Sequence, residues 1–205
     1  MELVKYNNNS ISSVTALASL SAGGLNLLAT NTISSGVSSS SFTSNIDSTY
    51  DTYIFKFINI HQATDDVRFS VNFSSDGGSN YNVTKSSTSF NSYHYESDSD
   101  AVLAYEADQD LAQGTGYQDL SRRSGNANDE SISGQLILFS PSNTTFVKHY
   151  IAETHSVHTL DIPYRLFVAG YANTTSAINA VDFKMTSGNI DSGVIKMYGV
   201  SKSWV

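Results

Sequence analysis

The chain is expected to fold as an all-β protein, an antiparallel β-sandwich of jelly-roll type with an extended N-terminal arm. Three observations lead there. From Tyr50 onward, strand-like runs recur with turn clusters between them at the spacing of about 8 to 12 residues typical of sandwiches. No amphipathic helix of normal length is visible. The polar stretch from Glu96 to Asn128 is too long for a hairpin and has the length that a crossing between two sheets uses.

The elements follow in order. Residues 1–45 are small and polar ("NNNSISS", "SLSAGG", "TISSGVSSSSFTS") and read as an arm that anchors or oligomerises; residues 46–205 read as the sandwich domain. "YDTYIFKFINIH" (Tyr50–His61) is apolar on both faces, with Tyr53, Phe55 and Phe57 on one and Ile54, Ile58 and Ile60 on the other. That pattern predicts a strand buried on both sides. "VRFSVNF" (Val67–Phe73) alternates, which predicts a half-exposed strand. "SSDGGSN" then predicts a hairpin loop, with Gly77 and Gly78 at positive φ and "YNVTK" (Tyr81–Lys85) as the returning strand. Further strands are expected at Ser89–Tyr95, Ser131–Ser140, Thr145–Glu153, Tyr164–Tyr171, Ile178–Met185 and Gly193–Val200, roughly nine or ten in all. The one short helix the pattern allows lies around Ala101–Tyr105. The last strand, "GVIKMYGV", is as apolar as any other, so it is expected in mid-sheet although it ends the chain. Trp204, the single tryptophan, has two readings: a contact to a neighbouring subunit, or a ring folded back on its own domain.

Composition narrows the function classes. Of the 205 residues 40% are hydrophobic and 11% aromatic, enough for a real core and too aromatic for a disordered chain. The formal net charge is −8, and the only adjacent basic pair is Arg122–Arg123, so a nucleic-acid partner is not expected. There is no cysteine, which excludes disulfides, thiolate metal sites and a cysteine nucleophile. No run approaches the roughly 18 apolar residues of a membrane span. "VTALASLSAGGLNLLA" (Val14–Ala29) has a single upstream cation, Lys5, and is diluted by serine and glycine, so neither a membrane contact nor a cleaved signal is expected.

Chemistry-bearing patterns are sparse. "ESDSDAVLAYEADQD" (Glu96–Asp110) has the oxygen ligands of a calcium loop but lacks the glycine and closing glutamate of an EF-hand. "ATDD" (Ala63–Asp66) reads as a tight turn. His155 and His158, with Glu153 and Asp161 nearby, have the spacing of a zinc pair on a helix but sit where a loop is expected. His61, His94 and His149 read as structural. No G-x-S-x-G, P-loop or G-x-G-x-x-G is present. No catalytic residue, metal ligand or cofactor is therefore assigned, and no enzyme activity is expected. Tyr93, Tyr95, Tyr105 and Tyr117 gather around the long loop, where tyrosines stack on sugars or fill subunit interfaces.

"SGVSSSSFTSNIDSTYDTYIFKFINIHQATDDVRFSVNFSSDGGSNY" (Ser35–Tyr81) resembles a recurrent pattern in virion structural proteins of tailed bacteriophages, above all those infecting marine cyanobacteria. Its successive pieces are a serine-rich run, "FTS-x-IDSTYD-x-Y-x-F", "NI", "ATDD" and "DGGS-x-Y". The closing "SGNIDSGVIKMYGV" (Ser187–Val200) is similar to the family's usual end. The resemblance implies a β-sandwich module of a virion, in a tail fibre, a tail appendage or a capsid decoration, grouped as a homotrimer among other virion proteins. It implies no catalytic residues. A lectin-like module that recognises host surface glycans is the alternative expectation.

Overall fold

The computed structural model describes residues 24–201. Twelve strands carry the fold: β1 (Leu25–Ile33), β2 (Ser40–Phe42), β3 (Thr52–Gln62), β4 (Phe69–Ser74), β5 (Lys85–His94), β6 (Ala101–Tyr105), β7 (Gln118–Asp119), β8 (Ile132–Phe139), β9 (Lys148–His158), β10 (Ile162–Ala172), β11 (Ala180–Met185) and β12 (Ile190–Val200). Eight form one sheet in the order β1-β12-β3-β8-β9-β10-β5-β6; four form a smaller one, β2-β11-β4-β7. All pairings are antiparallel. The layers bury one apolar core between them, so the architecture is the antiparallel β-sandwich the sequence predicts. Among the described residues no helix is long and apolar enough to cross a membrane.

The core is aromatic at its centre. Phe183 on β11 lies 5.4 Å from Phe55, 5.2 Å from Phe57, 5.7 Å from Phe69 and 6.2 Å from Phe42, ring centre to ring centre. Phe42 and Phe57 meet it edge to face, an arrangement the ring quadrupole favours, while Phe69 stacks on it. β12 sits between β1 and β3, which explains its apolar sequence: Ile195 and Met197 are completely buried.

Several elements differ from expectation, each for an identifiable reason. Residues 25–42 belong to the sandwich and not to an arm ending at residue 45, because β1 pairs with β12 and β2 with β11. Their serine- and asparagine-rich texture is that of edge strands, which have one neighbour each. Residues 1–23, the rest of the expected arm, and Trp204 lie outside the described residues.

β3 is buried on one face only. Asn59 takes φ 48°, and the pairing with β8 slips between Phe57 and Ile60. This bulge turns Ile60 onto the face of Tyr53, Phe55 and Phe57, while Ile54 and Ile58 stay outside. β4, expected half-exposed, is buried throughout. Its polar face lies under loops: Asn72 Nδ2 donates to the carbonyls of Tyr81 (2.6 Å) and Thr115 (3.0 Å), while Ser70 Oγ donates to that of Lys184 on the neighbouring β11 (2.9 Å).

The turn after β4 forms as predicted, with φ 74° at Gly77 and 89° at Gly78. Asp76 clamps it by accepting from Ser74 Oγ and from the backbone and side-chain nitrogens of Asn80. Tyr81–Lys85 passes beside β4, with Val83 N–H donating to the Phe73 carbonyl, but forms no returning strand there: β4 pairs with β11 and β7. The chain passes to the larger sheet, where β5 joins β10 and β6. Ala101–Tyr105 is strand β6 rather than a helix, because its alternate side chains pair across β5. The long connection crosses between sheets as anticipated, leaving β6 in the larger and entering β7 in the smaller.

Candidate functional site

The outer face of the larger sheet is the most unusual surface of the molecule. In an antiparallel sandwich the outward-facing residues are normally polar. Here the pleat and register set one apolar row across five strands: Leu27, Tyr198, Ile54, Ile137 and Ile151. Leu27 is 55% exposed and Ile151 48%. Phe139 borders the row and lines a depression of about 520 Å³ with His149 and the exposed Phe146. Contiguous apolar surface of this kind marks an interaction site.

A charged row runs beside it: Lys196, Lys56, Gln135, Glu153. Lys196 and Lys56 face each other directly on β12 and β3, an unfavourable cross-strand pairing of like charges. Among the described residues neither forms an ion pair; Lys56 Nζ donates to Gln135 Oε1 at 2.7 Å. Glu153 meets Arg165, whose guanidinium lies 4.5 Å from the Phe167 ring centre. Phe167 stacks on Phe90 at 4.8 Å, and Leu103 and Tyr105 extend this aromatic end to the β6 edge. Tyr105 donates its hydroxyl to Asp110.

A second cluster lies where the long connection packs under the overhanging strands β10 and β5. Glu106 accepts from Arg122 Nη1, from Asn91 Nδ2 and, at 3.0 Å, from the Tyr164 hydroxyl. Arg68 donates to Asp108 (2.5 Å) and to Asp119 on β7 (2.9 Å); Arg122 also reaches Asp108 at 3.3 Å. Burial raises the Glu106 carboxyl, outweighing the Tyr164 hydrogen bond and the Arg122 charge. At Asp108 burial acts upward too, but Arg68 wins and holds it below the usual range. Two carboxyls driven apart in this way are the pattern of an acid–base pair. Both Glu106 oxygens are nevertheless taken up by three donors, and its side chain is 12% exposed. The cluster is a tie between the two sheets.

The other residues singled out in the sequence scatter. His155 and His158 lie on one strand, β9, and an odd spacing sends them to opposite faces. His155 points outward; His158 stacks under Tyr164 at 6.1 Å, and burial lowers its pKa. His94 pairs with Asp98 at 3.0 Å, and His61 with Asp191 at 3.3 Å. The acidic stretch disperses among Arg68, Arg122, His94 and Tyr105, and among the described residues no group of His, Asp or Glu is placed to hold a metal. Arg122 is a tie residue rather than part of a free loop, and Arg123 pairs with Asp66 of "ATDD" at 3.0 Å. Of the four tyrosines, only Tyr105 joins the outer face. Tyr93 stacks on Tyr164 at 5.1 Å and meets Tyr95 edge to face at 5.9 Å, and Tyr117 donates to Asp182 at 2.8 Å. Of the isoleucine row, the sequence placed only Ile54, and on a face expected to be buried.

No protein-family model, curated protein or solved structure matches the chain.

Proposed function

We propose that the chain is a non-enzymatic structural protein of a phage virion, part of a tail fibre, a tail appendage or a capsid decoration. Its role is to assemble with other virion proteins and with copies of itself, the trimer implied by the resemblance being one such grouping. The observation that carries the assembly reading is the apolar row on the outer face, which a freely dissolved monomer would leave in water. The low charge content, 15%, and the cysteine-free sandwich suit a packed particle component. The virion itself rests on the resemblance of Ser35–Tyr81 and Ser187–Val200. Antibodies raised against the chain and applied to purified phage particles test this: labelled tails or capsids support it, and label confined to the particle-free fraction rejects it.

A second reading has its own observation. Phe90, Phe167, Tyr105 and Leu103 form an exposed platform at the β5–β6 edge, with Thr88 and Ser92 beside it, and such rings stack on sugar faces. On this reading the module binds host surface glycans within the same particle. A glycan array probed with the chain and with Phe90→Ala separates the two: signal lost in the variant favours the glycan reading, and silence from both rejects it.

A further inference from the structure

We infer that the outer face of the larger sheet pairs with the same face of a second copy of this chain, about a two-fold axis lying between the faces and along β8. This rests on the assembly reading above and names the partner.

The argument is register. In the apolar row, Ile54 and Ile151 stand one strand to either side of Ile137. In the neighbouring row, Lys56 and Glu153 stand one strand to either side of Gln135. A two-fold axis along β8 exchanges left for right while keeping each row at its own height. It therefore sets Ile137 against Ile137, Ile54 against Ile151, and Lys56 against Glu153, each charge pair occurring twice. Aligned sandwich packing at about 30° leaves residues this close to the axis opposed.

The face thus satisfies the condition of an isologous interface, complementarity of one patch to itself. It also resolves a local conflict, since Lys56 and Lys196 oppose each other without a carboxylate partner among the described residues. A cyclic trimer would need two different complementary patches; this face supplies one that matches itself.

The test is sedimentation velocity and light scattering of the full chain between about 1 and 100 μM, a range spanning transient to stable association. A mass of twice 22.2 kDa is expected at the upper end. Ile137→Asp is expected to weaken the pair by about 100-fold or more, because a charge would be buried against its own copy at the centre of the contact. Lys56→Glu and Glu153→Lys are each expected to weaken it by about 10-fold, and the doubly exchanged chain to return to within about 3-fold of the original. Circular dichroism and thermal unfolding confirm that each variant folds. A monomer throughout the range, a mass of three chains, or a double exchange no better than the product of its single losses overturns the inference. A chain that pairs in solution but never labels particles would keep the pairing and sink the virion reading.

Discussion

Lys85 is a cation with no anion beside it among the described residues. It is fully buried, and its Nζ donates to Asn72 Oδ1 (2.5 Å) and the Val83 carbonyl (2.7 Å). Burial pushes its ammonium down from 10.5 to about 7. Between those two values the unfolded chain holds a proton that the folded chain has released, so stability rises with pH across that window. Tyr150 acts the other way: burial raises its phenol above 10.0, so stability is lost as the pH climbs past the unfolded value. Urea unfolding from pH 6 to 11 should show a rise above about pH 7 and a decline above about pH 10, and Lys85→Met should flatten the rising limb alone. Gly193 is the other residue-scale constraint. It sits at φ 130°, opposite the Asn59 bulge, where an added Cβ would lie 2.7 Å from the Asn59 carbonyl. Gly193→Ala is expected to cost about 1–3 kcal/mol in chemical denaturation through backbone strain.

Elements in this protein are held by what crosses between them. The smaller sheet is narrower than the larger, so beyond Lys85, which reaches Asn72 on β4, the inner face of β5 meets the polar connection rather than a facing strand. That is why Ser89 and Asn91 are buried there. The tie of Arg68, Arg122, Glu106, Asp108 and Asp119 closes this gap. Removing one partner leaves a half-buried charge uncompensated. Arg122→Ala should cost about 2–4 kcal/mol, less than a fully buried pair would because its side chain is partly exposed. Adding Glu106→Gln to that variant should recover part of the loss, and equilibrium unfolding of both chains measures it. A null effect of Arg122→Ala would show that the tie is ornamental to the fold.

For the whole molecule, the layers divide the chain's apolar content unequally between an inner core and an outer row. A folded pair is favoured by mass action, so the thermal midpoint should rise with protein concentration. Ile137→Asp should remove that dependence while leaving the dilute-solution midpoint within a few degrees, since the site is at the surface of the single chain. Differential scanning calorimetry at two widely separated concentrations reads both effects.

The strand alternation of Val67–Phe73, the apolar run of β12 and the turn at "SDGGSN" were legible from residue types alone, because side-chain period and positive-φ glycine are local properties. Together they specified an all-β chain with its last strand inside a sheet. The second half of β9, around His155 and His158, reads as a loop in the sequence. Only the tertiary structure decided which face of β3 is buried. Ile54 and Phe55 are equally apolar, and one bulge at Asn59 put Ile60 inside and left Ile54 in the outer row. The ion ties and the self-matching arrangement of Lys56, Gln135 and Glu153 were hidden for the same reason. They join residues 14 to 79 positions apart, and sheet register, which brings such residues side by side, is settled by long-range pairing rather than by any stretch of sequence.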